Sequence, residues 1–83
     1  MIVIRHDLKI GTNQLDLEPG AKLLGIDDIR EVPRLWVAVP EAHAGTERFV
    51  VQVVLTGGEV PELATYIGSC VSRAGTEMHA WRL

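Results

Sequence analysis

The side chains in this sequence that could react, ligate or titrate are Cys70, the serines, His6, His43, His79 and the Thr56-Gly57-Gly58 triplet. Nucleophilic catalysis needs a base within hydrogen-bond reach of a thiol or hydroxyl, and a third group to orient that base. Cys70 lies in a strand-like run beside Ser69, where a free cysteine reads as a small buried hydrophobe. No Gly-x-Ser-x-Gly elbow occurs, and Gly68-Ser69 alone is too common to mark one. Glu77 and His79, two residues apart, would share a strand face and could supply two metal ligands, but a catalytic site takes about three and a closed one about four. No third ligand is indicated, and His79 reads as a hydrogen-bonded histidine beside Trp81. Thr56-Gly57-Gly58 could cradle an anion on consecutive backbone N–H groups, although without a Gly-x-x-x-x-Gly-Lys pattern a plain turn is the simpler reading. The expectation is a protein that is not an enzyme and carries neither metal nor cofactor.

Arginine and aromatic residues give the better functional signal. Trp36, Tyr66, Trp81, Arg34, Arg48, Arg73 and Arg82 are of the types that dominate binding hot spots, and an aromatic face with a guanidinium suits a nucleotide's base and phosphate. The candidate ligand-binding set is Trp36, Arg48, Thr56, Gly57, Tyr66, His79 and Trp81. The structural alternative is that Trp36 fills the core and the arginines are solvated.

The elements that must position these residues read as strands. Glu47 to Thr56 is rich in β-branched residues and has no Pro or Gly; with apolar residues on both alternating faces, it predicts a strand buried on both sides. Arg34 to Val39, ended by Pro40, has the same character. Ile2, Ile4 and Leu8 alternate with polar neighbours, and Gln14 to Glu18 alternates after a break at Gly11-Thr12-Asn13, which suggests a hairpin. Pro19-Gly20 fits a type II turn, and Lys22 to Ile29 is a mixed strand in which Gly25 could mark a bulge. Val32-Pro33 punctuates, and Glu41 to Thr46 has a loop's composition. After the Thr56 to Pro61 turn, residues 61–64 could form one helical turn. Thr65 to Ser72 would set Tyr66, Gly68, Cys70 and Ser72 on one side and Ile67, Ser69 and Val71 on the other, and Arg73-Ala74-Gly75 turns the chain into a last strand from Thr76. No helical period persists over ten residues, and turn signals recur at about the eight- to twelve-residue spacing of sandwiches and barrels. The fold predicted is all-β, a small antiparallel β-sandwich or barrel of about seven strands in a single domain over residues 1–83.

An 83-residue chain offers one thin core, so apolar residues on both faces of the middle strands predict a homo-oligomer. The alternative is a sandwich whose own loops cover the second face. A net charge of −3 gives no general attraction to duplex nucleic acid. One cysteine excludes an internal disulfide, and the opening residues meet charge too soon for a signal peptide or a membrane span, so a cytoplasmic protein is expected.

Pro19-Gly20-Ala21-Lys22 with Leu24, Leu35-Trp36 with Val39, Thr56-Gly57, Tyr66-Ile67-Gly68-Ser69, and His79 with Trp81 together resemble a family of small, mostly bacteriophage-encoded proteins without an assigned function. The resemblance lies in the order and spacing of these motifs along most of the chain. A histidine often follows the family's Thr-Gly pair, and Gly58 stands there instead. The resemblance implies a phage or prophage origin, a compact β-fold and action inside a bacterial host cell. Two functions are then open: sequestration of a small anionic host ligand, such as a nucleotide signal of antiviral defence, in a pocket between the subunits of the homo-oligomer, or inhibition of a host protein through a strand edge or aromatic surface. A minor virion component is a third.

Overall fold

The computed structural model describes residues 1–41 and 45–83, so His43 lies outside the described residues. Seven strands form: β1 (Ile2–Asp7), β2 (Gly11–Leu17), β3 (Lys22–Ile29), β4 (Val32–Val39), β5 (Glu47–Leu55), β6 (Thr65–Val71) and β7 (Glu77–Arg82). They make two antiparallel sheets, β1-β4-β3 and β2-β5-β7-β6, packed face to face as a sandwich. The inward positions of β4 and β5, Leu35, Val37, Val39, Phe49, Val51 and Val53, meet Leu17, Met78 and Ala80 in one core. Each large side chain buried there contributes roughly 1.5–3 kcal/mol.

The Gly11-Thr12-Asn13 break is not a hairpin. β1 and β2 belong to different sheets, and Gly11 to Asn13 open β2. The corner is held by buried Asn13, whose Oδ1 accepts from Lys9 N at 2.9 Å while Nδ2 donates to the carbonyls of Lys9, Gly11 and Val51 at 2.9, 3.2 and 3.2 Å. With its amide fully used, an otherwise costly buried polar group fixes where the chain changes sheets.

Other turns follow their residue chemistry. Gly20 at φ 86 and the Ala21 N–H donating to Glu18 O at 3.0 Å complete the expected type II turn. The Arg73 to Gly75 turn closes through Ser72 N to Thr76 O at 2.8 Å. Pro33 stands inside β4 rather than before it, and its carbonyl accepts from Leu8 N at 2.8 Å. Residues 61–64 make no helical turn; Leu63 takes φ 62, and a single reverse turn closes where Ala64 N donates to Pro61 O at 3.4 Å. The β3–β4 hairpin turns on Arg30 and Glu31, both at positive φ (51 and 67), where glycine or asparagine is the usual occupant.

Two β-bulges lie opposite each other, between Leu23 and Gly25 on β3 and between Tyr66 and Gly68 on β6. At this seam the sheets almost touch: a Cβ on Gly68 would lie 3.4 Å from Ile26 N and 3.5 Å from Gly25 Cα. A methyl at Gly68 would just fill this seam at van der Waals contact, so the small residue marks how closely the two backbones approach.

Candidate functional site: a hydroxyl–imidazole row on the outer face of the larger sheet

β5 and β6 both pair with β7, so the connection 56–64 must travel back across the sheet before β6 can begin. Leu55 stands opposite Met78, whereas Thr65 stands opposite Arg82, a return of roughly 13 Å at the extended-strand rise. The connection starts with a turn in which Gly57 has φ 92 and Gly58 N donates to Leu55 O at 2.8 Å. It presses so closely on β5 that a Cβ on Gly58 would lie 2.6 Å from Val54 Cγ1, which explains why outward-facing Val54 is buried. Thr56 N donates to Glu77 O at 3.3 Å. Two of the triplet's three N–H groups are therefore used inside the fold, and the segment is a turn rather than an anion cradle.

Beneath this connection the outer face of the sheet carries a continuous polar row. His79 of β7 is flanked across the strands by Val54 and Ser69. Its Nε2 lies 2.8 Å from Thr56 Oγ1 and its Nδ1 lies 2.7 Å from Ser69 Oγ, which in turn is hydrogen-bonded to the Tyr66 hydroxyl. Trp81, opposite Tyr66, packs its ring 5.0 Å from that of Tyr66 at an interplanar angle of 59°. A cavity of about 310 Å³ opens here, lined by Val54, Leu55, Thr56, Gly57, Gly58, Val60, His79 and Trp81. The indole Nε1 of Trp81 is buried without a hydrogen-bond partner among the described residues.

Ser69 joins the row because of the β6 bulge. In a regular strand residues three apart face opposite sides, but the extra residue between Tyr66 and Gly68 reverses the parity. Ser69 therefore shares the outer face with Tyr66, while Cys70 turns inward against the core, the reverse of the pattern read from simple alternation. Burial raises the Cys70 thiol above its ordinary value, and the nearby Asp28 and Asp27 charges add to the shift, so it is not an activated nucleophile.

Of the seven candidate residues, Thr56, Gly57, His79 and Trp81 line this one cavity, and Tyr66 closes the row beside it. Arg48 shares the outer face but lies at the other end of β5, roughly 26 Å along the strand from Thr56. Its Nε donates to Asp16 Oδ1 at 2.9 Å and its Nη1 to Gln14 Oε1 at 3.0 Å. Trp36 lies on the outer face of the smaller sheet, with Arg5 Cζ 5.9 Å and Arg34 Cζ 5.6 Å from its ring centroid. Arg34 is itself held by Asp27 through bonds of 2.9 and 2.8 Å, and that pairing, with Trp36 and Arg5 nearby, keeps the Asp27 carboxyl below its ordinary value. Glu77 and His79 do share a face of β7, His6 belongs to the other sheet, and no cluster of three or more potential metal ligands occurs among the described residues.

Chemically, the row is a base with a hydroxyl on each ring nitrogen. Ser69 with His79 has the spacing of a nucleophile–base pair, but the orienting partner on the other nitrogen is the Thr56 hydroxyl, which cannot supply the negative charge that stabilises an imidazolium. Donors, acceptors and an aromatic edge around a small cavity are the makings of a recognition site.

Fold and site thus define a small antiparallel β-sandwich with a hydrogen-bonding pocket under a crossover connection. The chain belongs to the family described as Domain of unknown function (DUF7352), whose model matches residues 1–83. No curated protein and no solved structure matches the chain.

Proposed function

We propose that this is a non-catalytic binding protein of phage type that captures a small anionic ligand of the bacterial host, such as a nucleotide, in the cavity beneath the 56–64 connection. The observation that carries the reading is a cavity whose wall brings Thr56, His79 and Trp81 together, with the Trp81 indole N–H buried and without a partner among the described residues. A buried donor without an acceptor costs about 1–3 kcal/mol, and a ligand oxygen or ring nitrogen bound there would remove that cost. The Tyr66–Trp81 pair supplies an aromatic edge for a planar group. Isothermal titration of cyclic and linear nucleotides tests the proposal. At least one is expected to bind at micromolar concentration, and His79→Gln combined with Thr56→Val to weaken it about tenfold, the factor of roughly 1.4 kcal/mol. Absence of heat across the whole panel would overturn it.

A second reading, an inhibitor of a host protein, is favoured by one observation. Beside Trp36 the smaller sheet exposes Val3 and Leu24, at 57% and 52% of their surface. Pull-down from host lysate with the Leu24→Glu variant as control separates the two, because a small-ligand binder recovers no stoichiometric macromolecule in either form.

A further inference from the structure

We infer that the seam between β3 and β6 contains an oxyanion subsite formed by Lys22, Thr65 and Arg82, suited to a phosphate group. Next to the Gly25–Gly68 pinch the two sheets separate into a cleft of about 300 Å³, lined by Ala21, Lys22, Leu23, Thr65, Tyr66, Ile67 and Arg82. Two of these residues are cations, two carry hydroxyls and none is acidic. The nearest acid to Arg82 is Glu47 at the rim, and apolar walls strengthen the field felt by an anion inside the cleft.

Arg82 is held in place for this role. Its guanidinium carbon sits 4.1 Å from the centroid of buried Phe49, so the planar fork is oriented by the edge of the core. Its carboxylate partner, Glu47, is 3.7 Å away with half of its side chain exposed, a loose and screened pair that an oxyanion can displace. Lys22 is exposed, and Thr65 stands directly across the ladder from Arg82. Lys22 starts opposite Ala38 on the outer side of β3, so its long flexible side chain would have to reach round the strand edge to add an ammonium to the oxyanion held by the Arg82 guanidinium and the Thr65 hydroxyl.

The position of the cleft ties it to the cavity described above. Tyr66 lines the cleft and Trp81 lines the cavity, and their rings touch at 5.0 Å. The cavity and the cleft lie on opposite faces of β6, so a ligand with a planar group under the 56–64 connection and a phosphate at the seam would pass round this edge strand beside Tyr66, and the class named is a nucleoside monophosphate or the corresponding unit of a larger nucleotide. That second half rests on the proposed function, whereas the oxyanion subsite itself does not.

The test is a titration of the full isotope-labelled chain with inorganic phosphate, then with adenosine monophosphate, at constant ionic strength, read by amide chemical shifts. Phosphate is expected to shift Lys22, Thr65 and Arg82 saturably in the millimolar range. Lys22→Gln, on an exposed side chain, should weaken that binding about fivefold, and Arg82→Lys, which keeps the charge but loses the fork, should also weaken it. His79→Gln should leave phosphate binding unchanged while weakening the nucleotide. Absence of saturation, or saturation that Lys22→Gln does not alter, would overturn the subsite. Phosphate binding at the seam without tighter nucleotide binding would uphold the subsite and count against the proposed function.

Discussion

At the scale of single residues, His79 and Ser69 illustrate what is and is not readable from types and spacing. His79 stands two residues from both Glu77 and Trp81, and alternation alone places all three on one face, as observed. Ser69 was out of reach, because its side is set by a bulge whose only mark in the sequence is Gly68. Arginines are the least legible, since a guanidinium can pair across a sheet with residues far along the chain. Arg34 bonds Asp27 across a hairpin, and Arg48 bonds Asp16 between strands whose partnership no local pattern specifies. The Asp27–Arg34 pair carries a prediction. Because the folded state holds the Asp27 carboxyl below its ordinary value of 3.8, the pair's contribution is complete above that pH and is lost as pH falls through the lower folded value. Asp27 is 39% exposed, so solvent screening limits the contribution to about 1 kcal/mol or less. Asp27→Asn should lower stability by that amount at pH 7 and by progressively less below pH 4, as measured by urea unfolding at several pH values.

At the scale of elements, hydrophobic period and turn chemistry located all seven strands, the type II turn at Pro19-Gly20 and the bulge at Gly25. What they could not give is which strand goes to which sheet. The break at Gly11 to Asn13 looks the same in sequence whether the chain turns back on itself or changes sheets, and the deciding feature is Asn13 reaching Val51, 38 residues away. The crossover 56–64 is the element on which the site depends, since it covers Val54 and brings Thr56 to His79. Gly58 is its contact point. With Val54 Cγ1 at 2.6 Å and Leu55 O at 3.0 Å from the added methyl, Gly58→Ala should destabilise the fold by roughly 1–3 kcal/mol. Val54→Ala should relieve the overlap, so that the double variant costs less than the sum of the single ones in a denaturation cycle.

At the scale of the whole molecule, the apolar residues on both faces of the middle strands resolve differently in the two sheets. On β5 the chain covers its own outer face at Val54. The smaller sheet is less completely covered: Val3 and Leu24 are exposed beside Trp36 and its cavity of about 360 Å³. We therefore retain self-association as a proposal and confine it to the β1-β4-β3 face. Sedimentation at micromolar concentration is expected to give a species larger than one chain, reduced to monomer by Leu24→Glu, and a wild-type monomer throughout would contradict it. Among the described residues no helix is long and apolar enough to cross a membrane. The pocket under the crossover does not require a second copy, because every group in the hydroxyl–imidazole row comes from one chain.

The most direct measurement of the central claim is the indole N–H resonance of Trp81 during titration with the tightest-binding nucleotide. If the orphaned donor faces the ligand, that resonance should move downfield and saturate together with the Thr56 and His79 amides. A nucleotide that binds while leaving the Trp81 indole unmoved, or that shifts Trp36 instead, would contradict a pocket beneath the 56–64 connection.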